Sequence, residues 1–406
     1  MYKIIKVEGA VIMGNVIPFE QITSGKYFNG ERLRIARTWR GYSAIQLAEM
    51  IGVNRQTISM YENGKLDSPE FPTIQKISEA LRFPVKFFLE DIKVDVEKSA
   101  TYFRSLLTTN KKYRVEQEDK IKFIAVIYNM LNEYLEFEKL NLPQIPQNTS
   151  PQEAAEILRK QWRLGNKPIE NIVYLVESNG LVVTDFATST GDVDAFSHKI
   201  VYGQDETYLI GYSQNKKTAA RIHFDIAHEL GHILLHNWKE DLDNIDKEDF
   251  KDIEQEAHSF AAAFLLPEKE FAEDVRPYAT NLAYYTELKK RWKVSIAAMI
   301  RRAKDLEIIT NEDYSKLMRN MQKQGIRKVE PLDDELMTAE PSLLRQAVKI
   351  LFEQKVFTPS EFLEELSAEY GLTIYPNDIE SLLSLKAGTF EEEKKTKVVV
   401  NVKSRE

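Results

Sequence analysis

The chain has 406 residues, of which 43% are apolar and 29% charged, and this predicts a soluble globular protein of roughly two or three domains. It contains no cysteine, which excludes disulfides, thiolate zinc ligands and a cysteine nucleophile and fits a reducing, cytoplasmic compartment. No apolar run is long enough for a membrane helix, and the net charge of −8 argues against a protein that is basic throughout. We therefore expect no signal peptide and no membrane partner. The tail of residues 1–28 contains no recognisable element, and translation starts at either Met1 or Met13.

Residues 29–92 predict five short helices, because apolar positions recur at helical spacing between glycine, asparagine and proline breaks. Ser43 and Asn54 are the expected N-caps of the second and third helices. Between Asn29 and Lys65, six basic residues stand against three acidic ones, a local net charge of +3 on an acidic chain. A locally basic segment of this kind is compatible with a small nucleic-acid-binding module.

Residues 93–145 predict a charged helical linker. A capping box at Ser150 to Glu153 opens the next domain, which we place at 146–330. Within this domain the pattern predicts two short strands and then two longer helices. The strands are Leu181 to Phe186 and Tyr208 to Tyr212, and the helices lie near 218–236 and 250–266. Residues 331–406 form a further, mainly helical region that ends with a predicted strand at Val398 to Val400.

The chemistry is concentrated in the first of these two helices. Five of the six histidines lie between His223 and His258, and the segment from His228 to His232 reads His-Glu-x-x-His. On a helix His228 and His232 lie one turn apart, so that both imidazoles can reach one ion, and Glu229 lies on the same side. Neutral imidazoles suit zinc, which acidifies a water molecule whose proton Glu229 can accept. Gly231 allows another element to approach this helix closely.

A catalytic zinc ion requires a third protein ligand. In the second helix Glu254 and His258 lie one turn apart on one face, and small residues at Ala257 and Ala261 allow tight packing against the first helix. We assign Glu254 as the third ligand. His258 would orient a ligand or a carboxylate without binding the ion itself. Glu256 is the competing candidate for the third ligand.

The remaining histidines favour structural roles. His236 continues the stripe of His228 and His232 by one more turn, but it lies too far along the helix to join the ion easily. His223 points about 140° away from His228 around the helix. His198 stands alone before the second predicted strand, where a surface or core position is favoured over stabilisation of a transition state.

The two segments Ala220 to His236 and Glu254 to Pro267 resemble the ImmA/IrrE family of metallopeptidases, and the resemblance covers about 146–330. It implies a zincin-like domain in which a small sheet packs on these helices. The residues that match the zinc ligands of that family are His228, His232 and Glu254, and Glu229 matches its general base.

The same resemblance implies a partner. Members of the family tend to cut a transcriptional repressor, which implies a protein substrate here, and the strand from Tyr208 to Tyr212 could pair with an extended substrate segment. One departure lies at His258, where the family usually has Asn or Asp.

Residues 29–92 resemble the lambda-repressor-like (XRE) helix-turn-helix domain, in which the third helix enters the major groove of double-stranded DNA. The resemblance assigns Arg55, Gln56 and Met60 to base edges and Thr57, Asn63 and Lys65 to phosphates. Ala44 departs from the family, which usually places there a Gln that binds the backbone. An operator with two-fold symmetry would imply a homodimer.

These features predict a mostly helical α+β protein with an N-terminal five-helix DNA-binding domain, a zinc-dependent peptidase and a helical C-terminal region. The combination resembles bacterial or phage regulators of mobile elements and toxin–antitoxin-like loci, whose substrate would be a repressor- or antitoxin-like protein. The alternative is a transcriptional regulator whose peptidase fold senses a metal or a partner without cutting it. The intact general base at Glu229 favours the enzyme.

Overall fold

The structure is a computed structural model that describes residues 28–66, 68–91, 101–103, 111–186, 195–202, 205–213, 218–236 and 247–391. The first part of the chain forms helices α1 (Gly30–Trp39), α2 (Ala44–Ile51), α3 (Arg55–Glu62) and α4 (Phe71–Leu81), then a 3-10 helix (Val85–Leu89), strand β1 (Thr101–Phe103) and helix α5 (Lys111–Tyr134). The predicted strand Val398 to Val400 and the first 27 residues lie outside the described part of the chain.

The central part forms α6 (Pro151–Gln161), α7 (Ile172–Glu177), β2 (Val182–Phe186), β3 (Ala195–Tyr202), β4 (Asp205–Ser213), α8 (Ala219–Leu235) and α9 (Lys247–Leu265). It is followed by α10 (Glu268–Val275), α11 (Leu282–Trp292), α12 (Ile296–Asp305) and α13 (Asn311–Lys323). The C-terminal region contains α14 (Leu343–Glu353), α15 (Pro359–Ala368) and α16 (Pro376–Leu382). The predicted α+β class, mostly helical with a small sheet, is therefore confirmed.

Local capping explains the N-terminal helices. The Ser43 side chain accepts a hydrogen bond from the backbone N–H of Gln46, and the Gln46 side chain accepts one from the backbone N–H of Ser43. At α3 the Asn54 side chain accepts from the backbone N–H of Thr57. A Cβ at Gly30 would lie 2.1 Å from the carbonyl oxygen of Tyr61, so only glycine allows α1 and α3 to approach this closely. Five helical segments form as predicted, the last of them a 3-10 helix.

The sheet has four strands in the order β1-β3-β4-β2. The β1–β3 and β3–β4 pairs are antiparallel and the β4–β2 pair is parallel. Two strands, β1 and β3, were not predicted. Because β4 lies inside the sheet with both edges paired, the expectation that Tyr208 to Tyr212 would add a substrate strand is wrong.

The sheet separates two hydrophobic cores. Phe196 and Ile200 of β3 point into a core shared with α1 to α5 and the C-terminal helices. Ala195 of β3 and Ile210 of β4 point into a second core formed with α6 to α13. This alternation follows from the pleat, in which successive side chains point to opposite faces. The DNA-binding segment and the C-terminal region therefore pack behind the sheet, and α8 and α9 pack in front of it.

Polar contacts join the first and last helices. The guanidinium of Arg40 on α1 pairs through two bonds, 2.7 and 2.8 Å long, with the carboxylate of Asp378 on α16. Arg32, buried at 2% exposure, donates to the carbonyl of Gly371 at 2.6 Å. These contacts hold α1 against the C-terminal region. Among the described residues, no helix is both long and apolar enough to cross a membrane.

Candidate metal centre

The candidate centre lies between α8 and α9. Thr218 caps α8 by accepting from the N–H of Arg221. A Cβ at Gly231 would lie 3.1 Å from Cα of Ala257, closer than side chains normally come, so this glycine allows the two helices to pack backbone to backbone. The close approach that the sequence predicted at Gly231 and Ala257 is therefore present, and it brings the second helix within reach of the His-Glu-x-x-His motif.

Three predicted ligands meet across this contact. Nε2 of His228 and Nε2 of His232 lie 3.0 Å apart. The carboxylate of Glu254 lies 3.3 Å from each of these nitrogens, with one oxygen towards each. The two histidines are completely buried and Glu254 is mostly buried. Two imidazole nitrogens from one helix and both carboxylate oxygens of one residue from the other thus lie together.

Their spacing fits a small divalent cation. A tetrahedral zinc ion with bonds of about 2.0–2.1 Å holds its ligand atoms roughly 3.3 Å apart. The observed distances of 3.0 Å between the two nitrogens and 3.3 Å from each nitrogen to one carboxylate oxygen are close to this spacing. Two imidazoles and one carboxylate are also a donor set that catalytic zinc uses.

The electrostatics favour the forms that bind a cation. Burial lowers the pKa of His228 well below its ordinary value, although its contact with Glu254 opposes this shift. Burial raises the pKa of Glu254, but hydrogen bonds from His228 and His232 outweigh it and bring that pKa to about 2. A neutral imidazole and an ionised carboxylate are the protonation states that metal ligation requires.

The competing ligand Glu256 is placed differently. Its Oε2 lies 3.2 Å from Nε2 of His236, and Nδ1 of His236 lies 3.0 Å from Nδ1 of His232. Glu256 therefore contacts the back of the candidate ligand His232 through an intervening imidazole. Geometry favours Glu254 as the third ligand and gives His236 the hydrogen-bonding position predicted for it.

His258 lies beside the centre. Its ring packs edge to face against the ring of His228, with centroids 4.7 Å apart. One ligand atom from each of His228, Glu254 and His258 lies within 4.8 Å of the other two. Nδ1 of His228 is buried and has no hydrogen-bond partner among the described residues, so His258 does not orient His228 through that atom. Its predicted supporting role therefore stays a prediction.

The candidate general base has a partner that the sequence did not reveal. Glu229 is fully buried on α8, and Oγ of Ser197 on β3 donates to its Oε2 at 2.5 Å. Sequence reasoning missed this residue because it missed β3. Residues 195–202 do not alternate between polar and apolar types, and the only signal for this strand is its content of β-branched and aromatic residues at Phe196, Ile200, Val201 and Tyr202.

The other two histidines lie away from the centre. His198 follows Ser197 in β3 and points to the opposite face, where burial, followed by the charge of Lys122, lowers its pKa to about 4. His223 is completely buried, with Nε2 3.2 Å from the hydroxyl of Thr338. His198 therefore takes the core position of the two that the sequence left open, and the buried position of His223 is compatible with the structural role predicted for it.

The predicted DNA-contacting residues lie on and just after α3. Five of the six side chains are exposed: Arg55, Gln56, Met60, Asn63 and Lys65. The sixth, Thr57, is half-buried, and its hydroxyl donates to Oδ1 of Asn54 at 3.0 Å. The outer surface of α3 thus remains accessible while α1 packs against the C-terminal region.

The local positive charge is distributed less simply than the sequence suggested. Three of the six basic residues between Asn29 and Lys65 contact residues outside this segment (Arg32, Arg34 and Arg40), and Arg37 pairs with Glu62 inside it. The net charge of +3 therefore overstates the positive charge that is available to DNA. On and just after α3, that charge comes from Arg55 and Lys65.

Two segments match known families. Residues 176–304 match the peptidase family described as IrrE N-terminal-like domain. Residues 33–88 match a helix-turn-helix family. An XRE-type DNA-binding segment is followed by an IrrE-type peptidase domain. Both resemblances inferred from the sequence are thus confirmed, and the metal centre lies within the matched peptidase segment.

Curated relatives match over a short stretch. A prophage-derived HTH-type transcriptional regulator of Bacillus subtilis is 39% identical over 61 residues, 15% of this chain and 56% of its own length. An HTH-type transcriptional repressor of the same organism is 46% identical over 55 residues, 14% of this chain and 41% of its own. A third HTH-type regulator, from Sinorhizobium medicae, is 39% identical over 66 residues, 16% of this chain and 47% of its own. The chain thus spans about half the length of these relatives.

Proposed function

We propose that this protein is a DNA-binding regulator with zinc-dependent endopeptidase activity, which cleaves a repressor- or antitoxin-like protein to control a mobile-element or toxin–antitoxin-like locus. The observation that carries the proposal is the convergence of His228, His232 and Glu254, at spacings of 3.0–3.3 Å, beside the buried carboxylate of Glu229. The match to the IrrE-type peptidase family supports it.

The residues of the chain divide the chemical work. His228, His232 and Glu254 would hold one zinc ion, which supplies Lewis-acid chemistry and acidifies a water molecule when bound. Glu229 accepts the proton of the attacking water as the peptide carbonyl is attacked. It then returns that proton to the amine nitrogen of the leaving segment, so that the carboxylate is regenerated. His258 supports the ligands from the side.

DNA binding would place this activity at an operator. Arg55, Gln56 and Met60 on the exposed face of α3 would contact bases, and Thr57, Asn63 and Lys65 would contact phosphates. The relatives named as HTH-type regulators support this role. We propose a homodimer on an operator with two-fold symmetry, acting where the DNA is, in the cytoplasm.

The competing function is a regulator that senses metal or a partner without proteolysis. A pure sensor needs ligands but no general base, whereas Glu229 is retained, buried and hydrogen-bonded. This observation favours the enzyme, and the substitution Glu229→Gln separates the two functions.

The test uses full-length protein carrying Glu229→Gln to capture partners, because a variant that binds without cutting retains its substrate. Each captured protein is then incubated with zinc-loaded wild type, with and without a chelator, and with the variant. We expect one zinc per chain in both proteins and cleavage by the wild type alone. If the protein does not bind stoichiometric zinc, or if regulation is unchanged in the variant, the proposed enzymatic function is overturned.

A further inference from the structure

Ser197 occupies a position that the sheet fixes from both sides. Its strand, β3, pairs with β1 at Tyr102 and with β4 at Ile210. The pleat directs Ser197 and Ala195 towards α8, while Phe196 points into the opposite core. A hydroxyl on such a strand has little freedom to move with respect to the helix in front of it.

The hydroxyl meets one carboxylate. Oγ of Ser197 lies 2.5 Å from Oε2 of Glu229, and both residues are completely buried. An O–H donor to an ionised carboxylate at 2.5–2.7 Å is a charge-assisted hydrogen bond, about twice as strong as a neutral one. The terminal torsion of a glutamate is otherwise broad, so this bond selects one orientation of the carboxylate plane.

We propose that Ser197 is a positioning residue for Glu229. Its hydroxyl, held by β3, turns the carboxylate into the orientation in which it accepts the proton of the attacking water and later delivers it to the leaving amine. The geometry of proton transfer demands this control, because donor and acceptor atoms must lie about 2.6–3.2 Å apart. The inference rests on the proposed peptidase function and assigns that reaction a residue outside the His-Glu-x-x-His motif.

A structural alternative makes a different prediction. If the Ser197 hydroxyl only satisfied a buried carboxylate, its loss would lower stability and leave the turnover of the folded enzyme unchanged. Thr207 on β4 provides the matched control, since its buried hydroxyl donates to the carbonyl of Gly180 at 2.6 Å and does not contact Glu229. Thr207→Val therefore removes a comparable bond from the same sheet.

The experiment measures kcat and KM separately on full-length, zinc-loaded protein. The probes are the protein captured by Glu229→Gln and a peptide library whose cleavage is read by mass spectrometry. We expect Ser197→Ala to lower kcat about 10- to 100-fold, the range seen for outer-shell partners, with KM and zinc stoichiometry unchanged. Ser197→Thr, which retains the hydroxyl, should have most of the wild-type kcat. Thr207→Val should have the wild-type kcat.

Each other outcome decides against a specific claim. Wild-type kcat in Ser197→Ala, or an equal loss of kcat in Thr207→Val, would overturn the positioning role while the peptidase stands. A Ser197→Ala protein that changes only in KM, or that loses its zinc, would also overturn the positioning role. A wild-type protein that binds zinc and cleaves neither probe would overturn the proposed function and the role of Ser197 with it.

Discussion

Nε2 of His236 lies 3.2 Å from Oε2 of Glu256, so the carboxylate that competes with Glu254 for the metal is engaged by an imidazole one helical turn beyond His232. His236 in turn contacts the back of His232. The two acidic residues of α9, separated by one residue, therefore have different contacts. We propose that they have different tasks, with Glu254 completing the donor set and Glu256 contacting His232 only through His236.

Substitution of the two acids should separate these tasks. We expect Glu254→Gln to weaken zinc binding by more than roughly 100-fold, because a charged ligand is lost. Residues that only contact the ligands typically change zinc affinity by up to about 100-fold. Glu256→Gln should weaken it by at most about 10-fold. Competition with a fluorescent chelator measures both affinities. The reverse order would assign the third ligand to Glu256, and equal losses would contradict the separate tasks of the two acids.

His258 can be tested in the same assay. We expect His258→Ala to leave one zinc per chain and to lower the affinity about 10- to 100-fold, because the residue is proposed to support the ligands without binding the ion. Ser259→Ala, the next residue on α9, serves as the control. Loss of stoichiometric zinc would make His258 a ligand, and wild-type affinity would remove it from the site.

The DNA-reading face predicts two kinds of loss. Arg55→Ala should cost roughly 1–3 kcal/mol on duplexes selected from a random library and relax the preference at one base pair. Lys65→Ala should weaken binding evenly across sequences and reduce the salt slope by about 1. Fluorescence anisotropy at several salt concentrations measures both effects. Lys349→Ala, which removes the same charge on α14, is the control and should leave DNA affinity unchanged. Operator affinity unaffected by Arg55→Ala would refute the assignment of Arg55 to a base edge.

His223 makes stability depend on pH. Burial, followed by the charge of Lys293, lowers its pKa in the folded protein to about 3, whereas the unfolded chain protonates near 6.5. Below pH 6.5 only the unfolded state takes up this proton, so the free energy of unfolding falls as the pH falls from about 6.5 towards 3. At pH 5.5 the loss is roughly 1 kcal/mol relative to neutral pH.

The variant His223→Gln should lose this part of the pH dependence. Thermal unfolding of metal-free protein at pH 7.5 and 5.5 measures it, and metal removal eliminates the proton-coupled release of zinc as a second source of pH dependence. We expect the fall in Tm between the two pH values to be smaller in the variant. An equal fall in both proteins would show that His223 does not carry the effect.

The two families, the helices that carry them and the residues at the metal centre were predictable from the amino-acid sequence. These features are local: N-caps at Ser43 and Asn54, and the 3.6-residue period that places His228 and His232 on one face, depend only on neighbours within a few positions. The choice of Glu254 also came from helical spacing, although spacing alone left Glu256 open.

Contacts between distant segments became visible only in the folded chain. Arg40 pairs with Asp378, which lies 338 positions away in the chain. Thr207 on β4, a strand inside the sheet, donates to the carbonyl of Gly180, 27 positions away, and Ser197 donates to Glu229, 32 positions away. Such contacts arise from the packing of two cores on opposite faces of one sheet, and packing depends on the shape of the whole chain rather than on any local period.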